Sequence, residues 1–568
     1  MELGDQQNIK GLSKKELVAL VTGLSKNKKY GLVWEDKPED VADFCKEKVP
    51  VLLPYEKWDI KQDSTFPTSF LIKGDNYHAL SVLNFTHQNK IDLIYIDPPY
   101  NTGNQDFVYN DRFVDKADSY RHSKWLSFIS KRLFLARPLL KETGVIFVSI
   151  DDNEISQLRL LLDQIFGEAN FVACLPTIMN LKGNQDEFGF AGTHEYTLVY
   201  AKNIKKASFN EFQIEDEEFD KWESDDLGFY KKGAALKATG TNAPREKRRN
   251  LFYPIFVTPK NKVYVTDNNK KINKKDSVLW PITSGKQMSW RWQKETVKNQ
   301  TYDIIVERNK GITLYKKQRP SINDLPSKKA KSLFYRAEYS SGNGTALLKR
   351  MFGAKIFNNP KPLQLIQDLV FLGMKKDGIV LDFTAGSGTT GHAVLSLNSF
   401  DGGSRSFILC TNNENEICDR VCFPRLKMAF RGYSDKVDKV KVDGNKGNLK
   451  CFITDFADSG DNDKNKKLLT RKLTASLMLK ENVFDLLYKN KKFEFYKTNN
   501  KTIGIVYDNS SIHQVHSLCK KLNSKISLYI FSLGEETFDE EFEDLKTNVS
   551  IQPIPESYLR VYRRIFSL

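Results

Sequence analysis

Strand-like and helix-like hydrophobic patterns alternate along much of this chain, most regularly from about residue 71 to 204. Asp75-Asn76 precedes a helix carrying Ala79, Leu80 and Leu83, and the apolar run Leu93-Ile94-Tyr95-Ile96 reads as a strand. A helix from Trp125 to Leu140 follows, then a strand from Val145 to Ile150, a helix from Glu154 to Phe166 and a strand over Glu195–Tyr200. Such alternation predicts one half of a doubly wound sheet. Residues 341–440 supply the other half: the strand Ile379-Val380-Leu381, a glycine-rich turn, a helix through His392-Ala393-Val394-Leu395, and the strand Ser406-Phe407-Ile408-Leu409.

The remaining segments differ in pattern. Residues 1–70 read as a helical lead-in, with a capping box at Ser13-Lys14-Lys15-Glu16 ahead of Leu17, Leu20, Val21 and Leu24. Residues 441–568 read as a small C-terminal α/β domain, entered through polar breaks and carrying strands at Ile503–Tyr507 and Ile526–Phe531. Its acidic run from Glu535 to Glu541 would repel phosphate, so that end reads as a protein-contact surface or a solvated helix. Between 205 and 340, basic clusters alternate with Phe252, Tyr253, Trp280, Trp290 and Trp292. Cations contact phosphates, while rings and forked guanidinium groups meet bases. Lys232, Arg245, Arg248, Arg249, Lys316, Lys317 and Arg319 are therefore the candidate DNA contacts. The competing reading, residue by residue, is exposed basic loops around a small core.

Composition narrows the function classes. A length of 568 residues exceeds a single core and suggests about three or four domains. Lysine and arginine outnumber aspartate and glutamate by 87 to 71, a net charge of +16, which suits a polyanionic partner. Seven scattered cysteines argue against a disulfide framework and fit a reducing cytoplasm; Cys418 and Cys422 lack a second pair, so no metal site is expected. The start has no signal-peptide character, and no apolar run approaches the roughly 20 residues of a membrane span.

Two motifs carry chemistry. Asp97-Pro98-Pro99-Tyr100 closes the first apolar strand. The Asp97 carboxylate only accepts hydrogen bonds, and Pro98 keeps a carbonyl but lacks an N–H. Side by side, they can hold both hydrogens of a planar amino group, with Tyr100 as a stacking face. The second motif, Asp382-Phe383-Thr384-Ala385-Gly386-Ser387-Gly388-Thr389-Thr390-Gly391, has the strand–glycine turn–helix arrangement that brings backbone N–H groups close to a nucleotide-like ligand. It is not a P-loop, because His392 and Ala393 stand where Lys and Ser/Thr are required. Glu414 follows the next strand, at a position suited to ribose hydroxyls or to capping a helix. Asp152 reads as the N-cap of the helix after it.

Further stretches accompany these two: Lys73-Gly74-Asp75-Asn76, Asn101-Thr102-Gly103-Asn104, Gly144 to Asp152, and Phe357-Asn358-Asn359-Pro360-Lys361-Pro362. Together, over roughly residues 70 to 430, they resemble the β-class amino methyltransferases that act on DNA, and among them the modification subunits of type III restriction–modification systems. The resemblance implies an α/β, Rossmann-like S-adenosyl-L-methionine-dependent methyltransferase sheet in circularly permuted motif order. The catalytic half would occupy 71–204, an inserted target-recognition domain 205–340 and the cofactor-binding half 341–440. It implies transfer of a methyl group to adenine N6 in flipped-out duplex DNA, with Asp97, Pro98, Pro99 and Tyr100 catalytic. Asp75, Asp97, Lys361, Pro362, Asp382, Thr384, Gly386, Gly388, Thr389 and Glu414 would bind the cofactor. A homodimer and a restriction subunit are the implied protein partners, although an orphan enzyme is equally compatible. Cytosine N4 is the alternative target, and a DNA-binding scaffold with a vestigial fold is the alternative class. Thr384 departs from the Phe usual at its position, so altered packing around the cofactor is expected.

Overall fold

The computed structural model describes residues 32–566 apart from 105, 181–182, 184–188, 214–222, 310, 320–326, 459–461, 499–500, 523, 534–535 and 537. The helix read over Leu17–Leu24 lies outside them. Contacts divide the chain into two compact units, residues 211–330 and everything on either side.

The larger unit is built on a nine-stranded sheet. Its strands are β1 (Lys48–Pro54), β2 (Thr68–Lys73), β3 (Ile91–Ile96), β4 (Leu140–Ile150), β5 (Phe171–Ile178), β6 (His194–Ala201), β7 (Ile379–Asp382), β8 (Ser406–Thr411) and β9 (Asn448–Asp458). Their spatial order is β1-β9-β2-β8-β7-β3-β4-β6-β5. The central six run parallel, while β1, β6 and β5 make antiparallel pairs. Parallel strands are covered on both faces, which explains why β3 and β7 read as near-continuous apolar runs. Leu93, Ile94, Ile96, Val380 and Leu381 are all fully buried.

The connections decide where a ligand sits. From β3 the chain passes to β4 on one side; from the adjacent β7 it passes to β8 on the other. The β3/β7 boundary is thus a topological switch point, and the crevice outside the carboxyl ends of such strands is the usual ligand site of an open α/β sheet. Both sequence motifs lie there.

Helices α1 (Asn76–Thr86), α2 (Arg121–Ala136), α3 (Ile155–Phe166), α4 (Leu363–Gly373), α5 (Thr389–Asp401) and α6 (Phe423–Arg431) belong to this unit. Helix α2 buries Trp125, Ile129 and Leu133, spaced four apart on one face. It stops at Ala136 rather than Leu140 because Pro138 follows, and a proline biases the residue before it away from the helical region. Asp152 does not cap α3: it accepts a hydrogen bond from the Tyr196 hydroxyl at 2.9 Å, and Glu154 holds the N-cap position.

Two segments depart from the sequence reading. Residues 48–54 are strand rather than part of a helical lead-in, with Val49, Val51 and Leu52 fully buried. Pro50 and Pro54 are tolerated because β1 is an edge strand, where a missing N–H costs little. Residues 448–458 form β9 inside the main sheet, between β1 and β2. The strands that remain toward the C-terminus, from Asp485–Lys489 to Val549–Ile554, form a separate five-stranded sheet. Tyr558 and Tyr562 of the last helix donate to the Pro50 and Cys45 carbonyls, fastening that end to the segment around β1.

The unit 211–330 has its own core of Leu236, Tyr253, Ile255, Val257, Trp290, Val297 and Leu314, under small antiparallel sheets. Tyr253 and Trp290, read from sequence among aromatics facing nucleic acid, are therefore core residues. Trp290 Nε1–H donates to the Tyr253 carbonyl at 2.7 Å.

Candidate active site

Asp97 emerges from β3 beside the glycine loop that leaves β7, and one hydrogen bond ties the two motifs together. The Asp97 backbone N–H donates to Thr384 Oγ1 at 2.9 Å. The threonine that departs from the expected Phe thus anchors the loop after β3. Phe383, one residue earlier, is fully buried in the core. The next two carbonyls are distinguished by their partners. Trp125 Nε1–H occupies the Pro99 carbonyl at 2.7 Å, whereas among the described residues no hydrogen bond reaches the Pro98 carbonyl.

Around Asp97 the fold assembles a charged cluster that the sequence did not reveal. Lys361 Nζ lies 3.2 Å from Asp97 Oδ1, 2.9 Å from both Glu195 carboxylate oxygens and 2.5 Å from the Tyr100 hydroxyl. The Tyr100 hydroxyl in turn donates to Glu195 Oε2 at 3.1 Å. Burial works against the Lys361 charge, but Asp97 and Glu195 together hold its pKa above the ordinary lysine value. Burial pushes Glu195 up, with Lys361 pulling the other way, and burial keeps Tyr100 neutral. Two carboxylates and one ammonium leave a net charge of −1. Lys361, expected at the cofactor's amino-acid end, directs its N–H groups at Asp97, Glu195 and Tyr100. In sequence Glu195 reads as the first residue of a strand; its one signal is a carboxylate at a position that faces the core.

The glycine loop is held from behind. Asp382 accepts from Thr390 Oγ1 at 2.6 Å and from the Thr384 N–H at 3.0 Å, and burial pushes its pKa up to about 7. Both its oxygens accept hydrogen bonds from the loop and so shape it. Thr389 is likewise turned inward, accepting from Arg425 Nη1 at 2.7 Å, with Ser387 Oγ 3.1 Å from the same nitrogen. Arg425 is fully buried on α6, and burial brings its pKa down to about 10. No local sequence signal marks it. Gly388 has φ +76°, and a Cβ there would lie 3.0 Å from Cys422 Sγ. Gly386 has φ +49°, and a Cβ there would sit in ordinary van der Waals contact with the Thr384 carbonyl oxygen at 3.7 Å and the Phe357 ring at 3.8 Å. Asp75 caps α1 through the Tyr77 N–H, and the adjacent Asn76 Nδ2 donates to the Phe383 carbonyl at 3.1 Å, which brings this turn to the same crevice. Pro362 opens α4 as its N-cap, and Glu414 is exposed just beyond β8.

The loop after Tyr100 is pinned by a second buried carboxyl. Asn101, buried at φ +59°, donates to Glu154 Oε1 at 2.6 Å, and His122 Nδ1 lies 2.6 Å from the same oxygen. Burial raises Glu154 to about 8 and lowers His122. At neutral pH the carboxyl is thus largely protonated, and its O–H can donate to a neutral imidazole.

The basic residues of 211–330 separate into two groups. Lys317 and Arg319 are nearly buried and pair internally: Asp225 lies 2.5 Å from each, and Asp303 2.6 Å from Arg319. Arg319 above all holds Asp225 well below the usual carboxylate range. Both cations, expected to contact DNA, are thus paired within the fold. Lys232 pairs with Glu307 at 2.7 Å and is partly engaged. Arg248 and Arg249 are exposed, and Lys316 lies 5.3 Å from the Trp292 ring centroid. Arg245 packs 4.4 Å from the Phe252 ring and donates to Gln287 at 2.6 Å, beside the half-exposed Trp280.

The DNA methylase family model matches residues 91–421. The EcoPI Mod subunit of a type III restriction–modification enzyme, from Escherichia phage P1, is 48% identical over 373 residues, covering 61% of this chain and 58% of that protein. The chain thus spans little more than half of that relative's length. The type II methyltransferase M.KpnI of Klebsiella pneumoniae is 34% identical over 375 residues, 66% of this chain and 86% of its own. Among solved structures, a cytosine-N4-specific PvuII DNA methyltransferase aligns over 65% of this chain and 93% of its own, at 10% identity and a TM-score of 0.32, a likeness too slight to bear weight.

Proposed function

This chain belongs to the N6/N4 DNA methylase family, and from that premise we propose that it transfers a methyl group from S-adenosyl-L-methionine to adenine N6 in duplex DNA. The observation that carries the reading is Asp97, its backbone N–H tied to Thr384 at the switch point, followed by a Pro98 carbonyl that no donor among the described residues occupies. These two acceptors suit the two hydrogens of one amino group.

Two features fit the methyl donor. The glycine loop leaves β7 at the β3/β7 switch point, where an open α/β sheet takes its ligand, and the net negative cluster at Asp97 complements a sulfonium. When bound, S-adenosyl-L-methionine supplies an electrophilic methyl group. Asp75, Pro362, Gly386, Gly388 and Glu414 are the residues that would hold it. The chain's own part is to orient the amine. Asp97 and the Pro98 carbonyl accept both N–H bonds and so favour the pyramidal nitrogen of the transition state, freeing its lone pair from the ring. Holding that lone pair in line contributes through orientation. The adenine must leave the helix, at a cost of a few kcal/mol, and stacking on Tyr100 returns about 1–3 kcal/mol. The methylated nitrogen then loses a proton to Asp97 or to water.

Exposed Arg248, Arg249 and Arg245, with Phe252 and Trp280, are the proposed DNA surface of the 211–330 unit. The Mod-subunit relatives support a place in a two-component restriction–modification enzyme, with cleavage supplied by another chain, and we include a homodimer in this reading. Incubation with S-adenosyl-L-methionine and unmethylated duplex DNA, followed by nucleoside mass spectrometry, tests the assignment. N6-methyladenine is expected; N4-methylcytosine would overturn the target, and no methylated base would overturn the activity.

A further inference from the structure

The cluster around Lys361 contains a carboxylate that orientation of the amine does not require. Glu195 is 9% exposed at the start of β6, two strands away from Asp97. It shares Lys361 with Asp97 and accepts from Tyr100. The charged and titratable groups facing it are Lys361 from the segment before α4, Asp97 and Tyr100 from the loop after β3, and Tyr95 of β3 itself. Its cross-strand neighbour on β5 is Thr177, which carries no charge.

Removing Glu195 from this arrangement shows what it does. A lysine paired with Asp97 alone would neutralise that carboxylate and turn it toward the ammonium. With Glu195 present, the ammonium is divided between two carboxylates, and the Tyr100 ring is fixed by hydrogen bonds to both Lys361 and Glu195. We propose that Glu195 is a positioning residue that draws the Lys361 ammonium from Asp97, leaving Asp97 its negative charge toward the amino group and the methyl donor. The inference rests on the methyltransferase reading above and goes further by assigning the source of the site's surplus charge.

The charge makes the inference testable without turnover. S-adenosyl-L-methionine carries a sulfonium, whereas S-adenosylhomocysteine has a neutral sulfur in the same frame. Calorimetric titration of both ligands into the wild-type protein and Glu195→Gln, which keeps the shape and removes the charge, separates charge from packing. The expected result is weakening of S-adenosyl-L-methionine by about tenfold with S-adenosylhomocysteine unchanged, the scale of one unit charge lost at close range in a partly screened site. Equal weakening of both ligands, or of neither, would overturn the proposal. Glu195→Asp restores the charge and should recover part of the preference for the sulfonium. The pH profile of methyl transfer gives a second readout. Because burial raises Glu195, an acid inflection present in the wild type should vanish in Glu195→Gln; an inflection that persists belongs to another buried acid such as Asp382 and counts against Glu195. If the wild-type protein binds neither ligand, the methyltransferase reading itself fails and the proposal falls with it. If it binds both but Glu195→Gln shows no selective loss, only the proposal falls.

Discussion

Thr384→Val removes one oxygen and keeps the shape; that oxygen also donates to Asp382 Oδ1 at a long 3.4 Å, and the shorter bond it accepts from Asp97 decides the effect. In the native protein Thr384 Oγ1 accepts the Asp97 N–H at 2.9 Å, across 287 residues of chain. Valine leaves that donor without its partner at a partly buried site. An unpaired backbone donor costs about 1–3 kcal/mol. The loop can recover some of this only by moving Asp97 toward water and away from the amine. If the whole cost is expressed as displacement of Asp97, kcat falls by about 5- to 150-fold. KM for S-adenosyl-L-methionine should change much less, because the glycine backbone stays in place. Thr384→Ser keeps the hydroxyl and should stay within about threefold of wild type, the scale of ~0.6 kcal/mol. Single-turnover methyl transfer with saturating cofactor is the assay, with thermal unfolding to show that all three proteins fold. A valine variant as fast as the serine variant would refute the argument that Thr384 anchors the catalytic loop.

Three further outcomes are expected. Arg319→Ala should destabilise the 211–330 unit by about 1–3 kcal/mol, since it leaves Asp225 and Asp303 without their shared partner; thermal unfolding reads this. Arg248→Ala, at an exposed position, should leave stability unchanged and instead weaken DNA binding, lowering the slope of log K against log salt by about one. Glu154 has a folded pKa of about 8 against an ordinary 4.5, so the fold favours its protonated form. Its stabilising contribution is full below pH 4.5 and is lost as pH rises toward about 8. The difference in unfolding free energy between wild type and Glu154→Gln should slope downward through that window, and a flat difference would show that Glu154 is ionised throughout.

Local pattern made part of this architecture legible. The strands ending at Asp97 and Asp382 announced themselves as apolar runs because parallel strands are buried on both faces, and the motifs at their ends followed from backbone chemistry. Contacts made at long range were not legible. Lys361 meets Glu195 across 166 residues, and nothing in either local sequence indicates the pairing. Arg425 looks like an ordinary helical cation until the fold buries it behind Ser387 and Thr389. Residues 48–54, within the stretch read as a helical lead-in, form an edge strand that tolerates Pro50 and Pro54. Among the basic residues, charge alone could not separate Arg319, spent on internal carboxylates, from the exposed Arg248, since the two differ in their neighbours and not in their chemistry.

Asp97→Ala tests most directly whether Asp97 is the group that holds the amine. The variant should be compared with wild type for S-adenosyl-L-methionine binding by calorimetry and for methylated nucleosides by mass spectrometry on the same DNA. N6-methyladenine is expected from the wild-type protein and none from the variant, although the variant still binds the cofactor. Undiminished N6-methyladenine from Asp97→Ala would contradict that role.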